Sequence, residues 1–184
     1  MPPLDEPIPE VYVQPGELHL VPQPTILRTV LGSCVGITFL VPRLAVGALC
    51  HPMLPRCPEG RIATLSDATR RRYVDLAVRE MARKLDALGA ARAETLVKLF
   101  GGGDVLSAGD GARRPTVGQM NRESALRVLS EEGFCIAASS LGGSTGVHIQ
   151  FMTGTGEVLL RRLDSGTAQE APAARGALRG NRRP

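Results

Sequence analysis

The chain has 184 residues, 43% of them hydrophobic, with a mean hydropathy of zero and a formal net charge of +4. That length suits one domain with a sizeable core, the composition excludes a disordered chain, and no apolar run reaches the roughly 18 residues of a membrane span. Most of the positive charge lies between Ser165 and Pro184, where four arginines face one glutamate. With two Tyr, four Phe and no Trp to stack on bases, the remainder does not read as a nucleic-acid binder. The opening "MPPLDEPIPE" lacks the basic-then-apolar plan of a signal peptide. Four scattered cysteines (34, 50, 57 and 135) do not make a disulfide framework. The expected location is the cytoplasm.

Residues 1–10 read as a flexible leader, 11–164 as the domain and 165–184 as a disordered basic tail. In chain order, 11–21 and 26–31 are short strands around "PQP". Residues 35–41 and 45–51 are β-rich runs joined at Pro42-Arg43. Residues 64–90 predict one helix, capped by Ser66 and stopped by Gly89, with Tyr73, Ala77, Met81, Leu85 and Leu88 along its buried stripe. A strand at 94–100 leads into "GGGD", a second helix runs from Asn121 to Gly133, and strands follow at 134–140, 147–152 and 157–163. The expected class is mixed α/β: layered β-sheets with helices outside.

The segment "TVLGSCVGITFLVPRLAVGALCHPMLP" carries the chemistry. If residues 41 and 44 close the hairpin, paired positions sum to a constant that also sets Cys34 opposite His51, on one face. A histidine there can take the thiol proton, and the turn at Gly32 and Ser33 can aim N–H groups at a developing oxyanion. The plainer reading of Cys34, a small buried residue at a strand start, stays open. Cys50, His51 and Cys57 suggest zinc by residue type only. Adjacent strand residues face opposite sides and no CxxC pair exists, so neither metal nor cofactor is expected. His19 and His148 read as strand-face residues. Gly101, Gly102 and Gly103 lack the lysine and serine of a phosphate loop and read as a sharp turn or close backbone approach.

"TVLGSCVGITFL", "VGALCHPMLP", "RYVDLAVREM", "KLFGGGDVL", "VGQMN" and "LGGSTGVHIQFMTGTGEVLLRRL" resemble, in order and spacing, the CheD family of chemoreceptor glutamine deamidases across about residues 11–163. The resemblance implies a cysteine hydrolase that converts receptor glutamines to glutamates, in some members also hydrolysing glutamyl methyl esters. It implies a layered fold like the catalytic domains of cytotoxic necrotising factors. The family's nucleophile falls on Cys34 and its histidine on His51. Its histidine-orienting threonine falls on Thr29, with Thr25 a second candidate, although Thr29 also reads as a β-branched strand residue. Gly101, Gly102, Gly103, Asn121, Gly142 and Gly143 in the shared motifs are expected to face substrate or partner. Two departures bear on docking: Ser140 stands where the family has an acid, and Val147 and His148 where it has a basic pair.

The implied partners are cytoplasmic helices of methyl-accepting receptors, with recruitment to receptor arrays, and a CheC-type phosphatase. No direct membrane insertion is expected. A non-catalytic binding module of the chemotaxis system is the competing class.

Overall fold

Residues 35–41 are apolar on both sides of the strand, and they are buried on both sides. A run of that kind belongs in the middle of a layered structure, with something packed against each face. In the computed structural model, which describes residues 7–105 and 115–163, that strand is the centre of three layers. The assignments for residues 1–6 and for the tail at 165–184 lie outside the described residues.

A four-stranded sheet has the order β1 (Glu10–Tyr12), β3 (Ile26–Leu31), β8 (Val147–Met152), β9 (Val158–Arg162). A five-stranded sheet has the order β2 (Leu18–Pro22), β5 (Val46–Cys50), β4 (Val35–Val41), β6 (Leu96–Gly101), β7 (Ile136–Leu141). Between the sheets lies one core, with Leu27, Leu31, Ile149 and Phe151 facing Leu40, Leu49 and Phe100. On the other face of the five-stranded sheet, Val35, Ile37, Phe39, Cys50 and Leu99 meet the helices α2 (Val74–Ala87) and α3 (Val117–Glu131). The alternation along β3 and β8 follows directly, since among the described residues only one face of their sheet is covered.

The predicted helix over 64–90 is two helices. Ser66 does cap a helix, but it is the single turn α1 (Asp67–Arg70). The chain then leaves helical geometry at Tyr73, which bridges to Leu54, and the N–H groups of Met53 and Leu54 donate to the Arg72 carbonyl. Backbone bonding to the 53–54 segment overrides the helical period here. From Val74 the expected stripe resumes, with Ala77, Met81 and Leu85 buried and Gly89 closing the helix at φ 72°. Leu88 is exposed. α3 begins at Val117, four residues before the expected start, because Thr116 accepts a hydrogen bond from the Gln119 N–H and caps it.

The hairpin register also differs from expectation. Val41 pairs with Val46 and Ile37 with Cys50, so the loop is Pro42–Ala45 and every pairing moves by two. Ala45 in the left-handed region (φ 50°) closes the turn. Continued past the strand end by the Val35 N–H to Pro52 carbonyl bond, the register sets Gly36, not Cys34, across from His51. A shift of two keeps each side chain on its face, so Cys34 and His51 both belong to the layer between the sheets, one diagonal step apart.

Candidate active site

Two segments that carry the chain from one sheet to the other come together at one end of the layered pair. Gly32–Cys34 joins β3 to β4, and Gly142–Gly146 joins β7 to β8. Cys34 is half-buried against the inter-sheet core. Burial pushes its thiol above the ordinary range, and its own backbone N–H pulls it part of the way back.

Backbone bonds hold the cysteine loop from behind. The Gly102 N–H donates to the Cys34 carbonyl at 2.7 Å and the Gly103 N–H to the Gly32 carbonyl at 2.8 Å. The approach at Gly101 needs a glycine: φ is 86°, and a β-carbon would lie 2.6 Å from the Cys34 carbonyl oxygen. Gly142 and Gly143 tie the second crossing to the same place, through Gly142 N–H to Gly101 carbonyl and Asp104 N–H to Gly143 carbonyl. These five glycines therefore brace the cysteine loop. Ser33 turns its carbonyl toward Asn121.

His51 follows the last residue of β5 and is 1% exposed. Its neighbour Cys50 points to the helices, so the two cannot share a ligand. Thr29, buried on the inward face of β3, meets the ring, with its Oγ1 2.7 Å from His51 Nδ1. Thr29 also donates to the Val13 carbonyl at 2.7 Å, and the same carbonyl lies 3.4 Å from Nδ1. A carbonyl only accepts. With the hydroxyl proton directed to Val13, Thr29 Oγ1 receives Nδ1–H, and the lone pair of the ring is left on Nε2. Nε2 is buried and has no partner among the described residues. Burial lowers the imidazole to about 4, against smaller upward pulls from the Val13 carbonyl and the Glu17 carboxylate. At neutral pH the resting pair is a neutral thiol and a neutral imidazole.

Thr25 is engaged elsewhere, donating to the Pro22 carbonyl, and is not at the ring. Ser140 is exposed on β7, Val147 faces the core and His148 lies on the uncovered face beside Arg161. Gly32 and Ser33 form the bend before Cys34 as expected. The Val13 carbonyl has no signal in the sequence, because any residue could supply it. Asp75, on the buried side of α2, accepts from the Cys57 N–H and holds the segment after His51; its place two residues after Tyr73 was the available hint.

A neutral base with one free nitrogen, oriented by a hydroxyl and set in the same layer as a thiol, can accept a thiol proton during attack on a carbonyl carbon. Among the described residues no helix is long and apolar enough to cross a membrane.

The family model described as CheD chemotactic sensory transduction matches residues 53–162, beginning just after His51. A probable chemoreceptor glutamine deamidase CheD 2 of Geobacter sulfurreducens is 41% identical over 157 residues, 85% of this chain and 92% of that protein. A probable chemoreceptor glutamine deamidase CheD of Maridesulfovibrio salexigens is 35% identical over 168 residues, 89% of this chain and 98% of that protein. One from Pseudomonas fluorescens is 35% identical over 164 residues, 88% and 89% of the two chains. With the family model covering more than half of the chain and these relatives nearly all of it, the chain belongs to the CheD family.

Proposed function

We propose that this protein is a chemoreceptor glutamine deamidase that works through Cys34 and His51. The observation that supports it most directly is the buried His51, with Nδ1 engaged by Thr29 and Nε2 unpaired among the described residues, in the same layer as Cys34. In the reaction, the Cys34 sulfur attacks the side-chain carboxamide carbon of a receptor glutamine while Nε2 takes the thiol proton. The imidazolium returns that proton to the leaving nitrogen, the C–N bond breaks, and ammonia departs to leave a thioester. Nε2 then takes a proton from water as its oxygen attacks the thioester. The C–S bond breaks, the thiol is restored, and the glutamine has become glutamate.

The acceptor sites are on cytoplasmic helices of methyl-accepting receptors, and a CheC-type phosphatase is the second partner in this reading. Cytoplasmic location at receptor arrays follows from it. The test is incubation with a receptor cytoplasmic fragment, following ammonia release and a mass gain of one dalton per converted glutamine. Cys34→Ala and His51→Ala should each abolish both signals while circular dichroism shows an intact fold. Because the two act as one unit, the double variant should be no worse than either alone. A folded Cys34→Ala that keeps wild-type turnover would overturn the enzyme in favour of a binding module.

A further inference from the structure

The buried stripe of α3 is apolar toward its C-terminal end, at Ala125, Val128 and Leu129, and polar before that, at Asn121 and Ser124. Asn121 is 0% exposed. Its Nδ2 has two hydrogens and both are used, one to the Ser33 carbonyl at 2.8 Å and one to the Met53 carbonyl at 3.0 Å. Its Oδ1 accepts nothing among the described residues. Flipping the amide would turn that oxygen toward two carbonyls, so the orientation is fixed. A buried amide with an idle oxygen is costly to keep, and what it supplies here is a pair of donors.

Those donors go to two segments far apart in sequence. The Ser33 carbonyl immediately precedes Cys34, and the Met53 carbonyl lies two residues after His51. We propose that Asn121 is a positioning residue for the Cys34 reaction, one amide that holds the peptide entering the nucleophile and the segment leaving the histidine in a single frame. It rests on the deamidase reading. The Ser33–Cys34 peptide is planar and trans, so tying its C=O to α3 directs its N–H the opposite way. That N–H therefore faces away from α3 on the residue that carries the sulfur, where it can donate to the carbonyl oxygen of the substrate as that oxygen becomes an oxyanion. Asn121 thereby aims an oxyanion donor without touching the substrate. The next residue, Arg122, donates to the Gly102 carbonyl, and Gly102 itself donates to Cys34, so α3 steadies the nucleophile from both sides. Ser124, one turn on, donates to the Pro55 carbonyl at 2.6 Å and has no bond to the cysteine loop, which makes it the matched control.

The experiment compares the full-length chain with Asn121→Ala, Asn121→Asp and Ser124→Ala, each below its own melting midpoint. Two quantities are read: the pH profile of Cys34 alkylation by iodoacetamide, and kcat and KM on a receptor fragment. Asn121→Ala should lower kcat roughly a hundredfold with KM nearly unchanged, the scale of losing one oxyanion donor. Its alkylation profile should move to higher pH, because the thiolate loses a well-aimed N–H. Ser124→Ala should leave kcat and the profile in place whatever it does to melting. Asn121→Asp keeps the shape but offers at most one hydrogen, so it should fall between, and it carries the comparison if the alanine variant does not fold. Unchanged kcat and profile in the Asn121 variants, or the same losses in Ser124→Ala, would overturn the proposal. A wild-type chain that converts no glutamine would refute the deamidase reading instead, and the alkylation profiles, which need no substrate, would still decide the role of Asn121.

Discussion

His51 gives its neighbours their meaning, because a buried neutral imidazole has a preferred tautomer only if something chooses it. Thr29 and the Val13 carbonyl make that choice. Thr29→Val keeps the shape and removes the hydroxyl, so deamidation should fall by roughly ten- to a hundredfold, part of the contribution of a positioned general base. Thr29→Ser should recover most of it, and initial rates on a receptor fragment distinguish the two. The same burial predicts an acid sensitivity. Below pH 6.5 the unfolded chain protonates its histidine, while folded His51 does so only near 4. Stability contributed by the neutral ring is present above 6.5 and lost as pH falls across that window, by about 3 kcal/mol at its lower end. Urea unfolding at pH 7 and pH 4.5 should show a larger loss for wild type than for His51→Gln. Equal losses would place the acid sensitivity elsewhere.

Among the elements, the turn at Gly101–Gly103 makes the clearest comparison. Gly101 and Gly143 both have strongly positive φ, 86° and 91°, but a β-carbon at 143 meets nothing within 4 Å. Gly143→Ala should therefore cost only backbone strain, about 1–3 kcal/mol. Gly101→Ala adds a collision with the Cys34 carbonyl and should cost more stability and much of the activity, read from melting curves and turnover together. Such a contact is invisible in the sequence, where "GGGD" says only that the chain turns closely. The strands were legible because β3 and β8 alternate and β4 is apolar apart from Thr38, each as its layer demands. The hairpin register was not, since nothing in "LVPRLAV" says that Val41 stays in the ladder while Ala45 takes the left-handed region that closes the turn. The break in the 64–90 helix was hidden because Tyr73 fits a helical stripe while the backbone on either side of it, the Arg72 carbonyl and the Val74 N–H, bonds to Leu54. Cys34 and His51 stood out as candidates by residue type and hairpin spacing, whereas Thr29 was named only through the family resemblance, with Thr25 beside it. The Val13 carbonyl could not be named, because backbone groups carry no residue signature.

For the molecule as a whole, the layers sort the four cysteines. Cys50 lies between the five-stranded sheet and the helices, Cys57 is buried below α2, Cys34 is half-buried at the end of the layered pair and Cys135 is exposed. Native alkylation followed by peptide mapping should therefore label Cys34 and Cys135, with Cys50 and Cys57 reacting only as denaturant unfolds the chain. Labelling of Cys50 at the rate of Cys135 in native buffer would contradict this packing. The depth of His51 behind a partly open Cys34 bears on the order of events in the proposed reaction. With its base buried and its nucleophile half-buried, the site meets solvent on the side of the sulfur, where the thioester of the proposed reaction would form. Ammonia leaves in forming that thioester and water attacks only afterwards, so the two half-reactions take turns. A strong small nucleophile such as hydroxylamine should therefore intercept the thioester and leave a hydroxamate on the receptor in place of glutamate.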